Sequence, residues 1–297
     1  MVPLGLYARL PTEQHPSHRY ALETFSTLRL LRLMSREDAH AVHAVTRQHR
    51  AIARAVALIA RAMQQGGRLF FVGAGTSGRL AVLEAAECPP TFHTPPALVQ
   101  AIIAGGHGAV FRSREGAEDR GEASARLVRR RARSGDVVVG ITASGVTPFV
   151  RDALRAARAR GARTILVTCH PRAPIQAAVR IRLAVGPEVL VGSTRLKAAT
   201  ATKLVLNMLT LGTMVRLGKV YGNLMVDVRP TSRKLHARAV RIIQELTGCA
   251  PATASRALRQ ARGRVKIAVL MVHRRLSETA ARRRLAAARG SLRDALR

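Results

Sequence analysis

Short apolar runs, each ended by glycine or a polar turn, alternate with helically spaced stretches from Gly66 onward. Five of these runs suit buried strands because they are short and rich in Val, Ile and Leu. They span residues 68–72, 98–103, 136–141, 164–168 and 181–185. Strands that alternate with helices predict an α/β fold, in which a mostly parallel five-stranded sheet carries helices on both faces.

The residues before the first strand and after the last one have helical patterns. Residues 1–66 carry apolar side chains at three- and four-residue spacing over 24–34 and 38–63, with a predicted break at 35–38. Residues 196–217 predict a long helix that is apolar on much of its circumference. Such a helix is expected to be buried, either in the core or in a subunit contact.

A change of composition after Pro230 indicates a further domain. Residues 233–297 contain 17 Lys or Arg against three acids, and their helical periodicity is broken at two glycines. We therefore predict three parts: an N-terminal helical segment packing on the core (1–66), an α/β domain (67–230) and a small helical C-terminal domain (231–297).

The charge of the chain raises the question of nucleic-acid binding, because 50 Lys or Arg stand against 17 acids and give a net charge of +33. The arginines spread along the whole chain, and aromatic residues are only 3% with no Trp. These features favour solvated faces over a nucleic-acid stripe, so specific nucleic-acid binding is not expected.

The remaining composition predicts a soluble, cytoplasmic protein. We find no signal peptide at the N-terminus and no run of the ~18 uninterrupted apolar residues that a membrane span needs. Cys88, Cys169 and Cys249 lie far apart without paired spacing, which favours reduced thiols over disulfides or a zinc site.

The loop after the first predicted strand, 73–79, has the G-x-G-x-x-G pattern at the start of a helix. A dinucleotide site also needs an acidic residue ~20 positions later, and the tip of the second strand has none. The Walker pattern fails because no Gly-Lys-Ser/Thr follows. Backbone amides with the hydroxyls of Thr76 and Ser77 suit a phosphate monoester, but a packing turn accounts for this loop equally well when it is taken alone.

Two further hydroxyl-rich loops favour the phosphate interpretation. Residues 142–148 and 192–197 also follow strands and precede helices, and the loops after parallel strands gather at one edge of the sheet. Several such loops predict a polar pocket for a phosphorylated, polyhydroxylated ligand. The candidate ligand-binding residues are Gly75, Thr76, Ser77, Ser144, Gly145, Thr147, Ser193, Thr194 and Lys197.

Acidic residues are conspicuous in so basic a chain. Glu84 and Glu87 lie on or near the first helix after the sheet begins, and Pro89 and Pro90 are expected to end that helix directly after Glu87. A second group occupies residues 115–119. Composition alone favours surface ion pairs with neighbouring arginines for these carboxylates.

The motifs taken together resemble the sugar isomerase-type phosphosugar-binding domain and, more sharply, the N-acetylmuramic acid 6-phosphate etherase family. The resemblance runs in order along nearly the whole chain. It is carried by 11–14, 73–79, 86–91, 115–119, 192–195, 203–208 and 223–227. The segments around Glu87 and at 115–119 are specific to the etherases and their regulatory relatives.

The resemblance implies a three-layer α/β/α sandwich, a small C-terminal helical domain and a homodimer. It also implies removal of D-lactate from C3 of N-acetylmuramic acid 6-phosphate with water, which leaves N-acetylglucosamine 6-phosphate. The acid/base glutamate of the family falls on Glu87 and its second active-site glutamate on Glu118. No metal or redox cofactor is required by this chemistry. The alternative is a non-catalytic sugar-phosphate-binding regulator, because regulatory proteins also resemble the family.

The chain departs from the pattern of the family at three positions. Val146 stands where the family usually has Arg, Leu196 where it has Met, and Ala199 where it has Gly. Val146 removes a cation from the expected phosphate loop, for which Arg195 or Lys197 is expected to compensate. Ala199 matters only if the backbone there needs a positive φ.

Overall fold

The computed structural model describes residues 10–16 and 19–297. Its centre is a sheet of five parallel strands in the order β2-β1-β3-β4-β5. The strands are β1 (Leu69–Gly73), β2 (Val99–Ile103), β3 (Val137–Thr142), β4 (Arg163–Thr168) and β5 (Val179–Arg182). This confirms the predicted α/β class with a parallel five-stranded sheet.

The helices are named here in chain order. They are α1 (Thr27–Thr46), α2 (His49–Gln64), α3 (Gly75–Phe92), α4 (Gly108–Phe111), α5 (Gly121–Arg131), α6 (Pro148–Ala159), α7 (Lys197–Arg216), α8 (Arg233–Thr247), α9 (Pro251–Gln260), α10 (Val265–His273), α11 (Glu278–Ala287) and α12 (Leu292–Leu296). Two 3₁₀ turns, Leu22–Thr24 and Ala117–Asp119, complete the regular structure.

Both faces of the sheet are buried, as apolar runs without alternation predict. Phe70 and Val138 point to the face covered by α5 and α6, where they share one apolar cluster with Val128 and Leu154. The intervening residues, such as Phe71, point to the opposite face and are equally buried. Helix α2 packs against β3 and β5 with its own apolar side. Strand β5, at one edge of the sheet, alternates between buried and exposed residues.

Two predicted helix boundaries were wrong. Helix α1 runs without a break through residues 35–38, and the chain turns instead at residues 47 and 48. The segment contains no glycine or proline that would interrupt the helix, and Glu37 within it pairs with a lysine. Helix α3 continues past Glu87 to Phe92, so that Pro89 and Pro90 lie in its last turns. The prolines end the helix slightly later than predicted because each removes only its own N–H donor.

The chain separates into two compact units: Met1–Ala85 with Ala97–Thr210, and Ala86–Pro96 with Leu211–Arg297. The first unit contains the sheet. The second has its own apolar core, in which Val226 and Val228 pack with the C-terminal helices. The predicted domain boundary at 230/231 stays a prediction. Val226 and Val228, which precede that boundary in the chain, are buried in the core of the second unit.

Helix α7 is the apolar helix that the sequence predicted at 196–217. It is long and apolar enough to cross a membrane by length and composition alone. Half of that stretch is buried inside the protein.

Candidate functional site

A cavity of about 670 Å³ lies in the first unit at the carboxyl edge of the sheet. The strand order places β1 between β2 and β3, so the chain leaves the sheet in opposite directions on the two sides of β1. Loops that diverge in this way leave a crevice, which is where open α/β sheets bind ligands. The cavity is lined there by the loops that follow β1, β2, β3 and β5.

The loop after β1 serves both packing and the cavity. A Cβ atom on Gly73 would lie 2.9 Å from the backbone nitrogen of Gly78, and one on Gly78 would lie 2.6 Å from Ile103 Cγ1. These two glycines let the start of α3 pack closely on the strands. Gly75 has open space around it and, with Thr76 and Ser77, lines the cavity. Gly73 and Gly78 therefore serve packing, whereas phosphate binding by Gly75, Thr76 and Ser77 stays a prediction.

The loop after β3 presents three hydroxyls to the cavity. Thr142 Oγ1 lies 2.8 Å from Thr147 Oγ1 and 3.2 Å from Ser144 Oγ, and it accepts a hydrogen bond from the Gly145 N–H at 3.1 Å. Thr147 occupies the N-cap position of α6 but makes no capping bond with its side chain. These hydroxyls form a network that is free to face a ligand, rather than an ordinary helix cap.

Helix starts and two arginines supply positive potential to this cavity. The first residues of α3 and α6, Gly75 and Pro148, both line it. The first N–H groups of a helix have no partners within the helix and carry partial positive charge, which favours anions. Arg79 and Arg195 also line the cavity, and Arg79 is held there by a 3.0 Å bond from its Nε to the Val110 carbonyl. The arrangement suits a phosphate group.

Carboxylates form another part of the wall. Glu115, Glu118 and Asp119 line the cavity from the segment between α4 and α5. Within the part of the chain that the structure describes, Glu118 makes no ion pair, although composition favoured surface pairing. Glu118 is an exposed residue, but partial desolvation of its carboxyl at the cavity wall, followed by repulsion from Asp119 and Glu115, raises its pKa. A carboxyl with a raised pKa is better matched to proton transfer near neutral pH.

Comparisons with known proteins agree with this geometry. The N-acetylmuramic acid 6-phosphate etherase of Picosynechococcus sp. is 51% identical over 97% of this chain and 97% of its own length. That of Nostoc sp. is 51% identical over 100% of this chain and 97% of its own length. The chain belongs to the N-acetylmuramic acid 6-phosphate etherase family.

Domain and fold comparisons place this etherase-family chain in a wider group. A family model described as the glucokinase regulatory protein N-terminal SIS domain matches residues 51–158, and one described as the SIS domain matches residues 120–212. A phosphoheptose isomerase from Francisella tularensis shares the fold, with a TM-score of 0.50 at 17% identity over 65% of this chain and 98% of its own. The near full-length etherase matches favour the enzyme over the regulatory alternative.

Most of the predicted ligand-binding residues of this etherase-family chain line the cavity. They are Gly75, Thr76, Ser77, Ser144, Thr147, Ser193 and Thr194. Gly145 does not line it: at φ +75°, a Cβ there would lie 2.6 Å from Ala173 Cβ, so the absent side chain serves packing.

Lys197 also lies outside the cavity lining. Its side chain is buried, and its ammonium lies 2.5 Å from Glu37 Oε2. Its backbone N–H and that of Ala198 donate to the Glu188 carboxylate at 3.1 and 2.9 Å, so Glu188 caps the start of α7. A cation at the first residue of a helix points back toward the preceding structure, here toward α1. We therefore leave Lys197 out of the proposed ligand set.

The two catalytic candidates differ in their surroundings. Both residues are exposed, but Glu118 lines the cavity, whereas Glu87 lies on α3, in the segment 86–96 that belongs to the second unit, and is not part of the cavity lining. The role of Glu87 therefore rests on the resemblance of its segment to the etherase motif and stays a prediction.

Several cavity residues were absent from the predicted set. Arg79 and Arg195 occupy positions within motifs that were recognised, and each is a cation one or two residues from a predicted hydroxyl ligand. Glu13 reaches the cavity from the N-terminal segment, where Thr12 Oγ1 donates to it at 3.0 Å and the Thr12 carbonyl accepts from the Gly192 N–H at 3.2 Å. The sequence signal for Glu13 was the motif at 11–14, which carries no spacing that points to the sheet edge.

The departures from the family pattern are partly resolved. Ala199 lies in the first turn of α7, and its φ is not positive, so the missing glycine causes no strain there. Val146 is buried and lines the cavity, where Arg195 supplies a cation from another loop.

Among the described residues, no three metal-ligating side chains lie close enough together to hold a metal ion.

Proposed function

We propose that this chain cleaves the C3 lactyl ether of N-acetylmuramic acid 6-phosphate, giving N-acetylglucosamine 6-phosphate and D-lactate. The observation that carries the proposal is the cavity at the carboxyl edge of the sheet, in which hydroxyls, two helix starts and the Glu118 carboxyl face the same space. The near full-length similarity to curated etherases supports the same reaction.

The phosphate of the substrate is assigned to the loop after β1. Thr76 and Ser77 offer hydroxyls beside the N–H groups at the start of α3, and Arg79 follows one turn later. Ser144, Thr147 and the hydroxyls at 193 and 194 are then available for the oxygens of the opened sugar. Polar groups at fixed positions orient the substrate, which lowers the entropic part of the barrier.

The reaction proceeds in two halves. In the open form of the sugar, the C1 aldehyde acidifies the C2 proton, which Glu118 removes as a base. The electron pair forms the C2–C3 double bond, the bond from C3 to the lactate oxygen breaks, and Glu87 gives that oxygen its proton. Water then adds: Glu87 takes a proton from water, the hydroxide joins C3, and Glu118 returns a proton to C2. Each proton transfer contributes ~10²- to 10⁴-fold to the rate.

An assay for D-lactate tests the proposal. Purified protein incubated with N-acetylmuramic acid 6-phosphate is expected to release D-lactate and N-acetylglucosamine 6-phosphate in equal amounts. Unphosphorylated N-acetylmuramic acid serves as the control, and it is expected to react far more slowly because the phosphate loop has no ligand. Binding of the phosphosugar without any lactate release would contradict the proposal and support the regulatory alternative.

The proposal includes a homodimer in the cytoplasm that acts in amino sugar catabolism and peptidoglycan recycling. Helix α7 supports a subunit contact, because Met208, Leu211 and Val215 are exposed apolar side chains at positions i, i+3 and i+7 of one face. Light scattering is expected to give about twice the 32.1 kDa chain mass. Leu211→Glu is expected to shift the protein toward monomer, whereas Phe111→Glu, at another exposed apolar residue, leaves the mass unchanged. A monomeric mass for the unaltered protein would refute the dimer.

A further inference from the structure

A second cavity, of about 580 Å³, lies within the second compact unit. Five arginines line it: Arg229, Arg259, Arg262, Arg264 and Arg282. They come from three separate places in the chain: the segment before α8, the end of α9 with the turn after it, and α11. Its volume lies within the range of small-molecule sites in proteins, ~300–1,000 Å³.

Most of these cations are left without anionic partners. Over residues 10–16 and 19–297, the side chains of Arg229, Arg262 and Arg264 form no hydrogen bond or ion pair. Arg259 donates only to a neutral group, the Ser255 hydroxyl, at 3.1 Å. Arg282 alone is paired, with Glu278 four residues earlier on its own helix. Four positively charged guanidinium groups therefore share one concave surface without an anionic partner.

The described lining contains no carboxylate to neutralise this charge. The charge of one acid outside the lining, Asp227, acts to raise the pKa of the lining residue His93. Asp227 is already engaged by two lysines, at 2.7 Å from Lys266 Nζ and 3.4 Å from Lys219 Nζ. The buried Lys266 also donates to the carbonyls of Gly218 and Gly290, so this cluster is a structural centre of the unit.

The pKa of His93 reflects the positive charges of several residues that lie near its side chain. Burial lowers the pKa of His93, and the charges of Arg229, Arg264 and Lys219 lower it further, against the opposing effect of Asp227. Cations from the segment after α7, from the segment before α8 and from the residue before α10 thus act on one imidazole. A neutral imidazole offers one donor and one acceptor beside the arginines.

The walls of this cavity are built from fixed backbone. The Arg229 N–H donates to the Pro90 carbonyl at 3.2 Å, which ties two wall segments together. The Arg264 N–H donates to the Ala261 carbonyl at 3.1 Å, directly before α10 begins. These bonds fix the backbone from which the arginine side chains extend, whereas the guanidinium groups themselves are ordered only when a ligand binds.

We propose that this cavity binds a small phosphorylated anion with at least two negative charges, at a site distinct from the etherase cavity. Planar guanidinium groups recognise phosphate oxygens through paired hydrogen bonds, and arginine is the side chain of choice for that purpose. A compact polyanion would relieve the repulsion among four unpaired cations, which a monovalent anion does only in part. The inference holds whether or not the first cavity performs the proposed reaction.

Titration calorimetry with inorganic pyrophosphate tests the inference. The double variant Arg229→Ala/Arg264→Ala is expected to weaken one pyrophosphate site at least tenfold. The matched control, Arg256→Ala/Arg283→Ala, removes two exposed arginines of the same unit that lie outside the cavity, and it is expected to change affinity less than twofold. Since both variants lose the same net charge, an equal weakening in both would reduce the site to nonspecific attraction and overturn the proposal.

A single variant and a competition experiment test the fold of the altered protein and the chemical class of the ligand. In Arg262→Asn, the asparagine tolerates the positive φ of 53° at that position. The change removes one cation without disturbing the helices, so a weakened site is expected in a folded protein.

Competition with a short oligothymidylate distinguishes binding of nucleic acid from binding of small anions. If the oligonucleotide binds this cavity and pyrophosphate fails to displace it, the small-anion assignment is wrong.

Discussion

Glu118→Gln is expected to lower kcat/KM for D-lactate release by ~10²- to 10⁴-fold, because the amide cannot take the C2 proton. Glu118 is the catalytic candidate that lines the proposed substrate cavity and whose pKa is raised by partial desolvation at its wall. Affinity for the product N-acetylglucosamine 6-phosphate is expected to stay within a few-fold, because the phosphate-binding hydroxyls are unchanged. Stopped lactate release with retained product binding would assign Glu118 to chemistry rather than to folding.

Glu87→Gln completes this prediction, with lactate release abolished and phosphosugar binding still measurable. The matched control is Glu122→Gln, an exposed glutamate that pairs with Arg129 outside the cavity. The control is expected to keep full activity. Full activity in Glu87→Gln would refute its assignment as the acid. Glu13 and Glu115, the other glutamates in the cavity wall, would then be the candidates for that role.

Asp136→Asn is expected to lower the free energy of unfolding by ~3–5 kcal/mol, the range found when one partner of a buried ion pair is removed. Asp136 is fully buried just before β3. Its carboxylate accepts from Arg68 Nη2 at 2.7 Å and from the backbone N–H groups of Arg68 and Arg133, both at 2.9 Å. The variant places an amide NH₂ among these donors and leaves the Arg68 guanidinium unpaired.

The pH dependence of this difference has a defined sign. Burial acts to raise the pKa of Asp136, but the hydrogen bonds from Arg68 and Arg133 outweigh it and hold the pKa below its usual value. A carboxyl with a lowered folded-state pKa stabilises the protein above its unfolded pKa of ~3.9 and loses that contribution as the pH falls below it. The difference in the free energy of unfolding between the original chain and Asp136→Asn is therefore expected to be constant near neutral pH and to become smaller below about pH 4.

Urea unfolding, monitored by far-UV circular dichroism, measures this difference in the free energy of unfolding. Asp294→Asn is the control, because Asp294 forms only an exposed pair with Arg297 at 3.6 Å. Exposed pairs contribute ~0–1 kcal/mol, so its effect is expected to be small. A loss below ~1 kcal/mol in Asp136→Asn near neutral pH would show that the buried pair is not a main support of the sheet.

The sheet was predictable because its signal is local. Buried parallel strands appear as short apolar runs, and all five predicted runs overlap an observed strand. The position of β5 was the least accurate, at Val179–Arg182 against the predicted 181–185, because an edge strand alternates exposed arginines with apolar residues. The break predicted within α1 failed for a related reason, since a capping pattern in sequence does not stop a helix whose neighbours continue to favour it.

The sequence alone determined the fold class, the edge of the sheet where the ligand loops gather and seven of the nine predicted ligand residues in the cavity lining. Those features follow from hydrophobic runs, turn residues and the geometry of parallel strands, which act over short stretches of chain. Tertiary structure alone decided that Lys197 pairs with Glu37, that Gly145 serves packing and that Arg79, Arg195 and Glu13 face the cavity. The direction of a side chain depends on partners distant in sequence, and no local pattern encodes them.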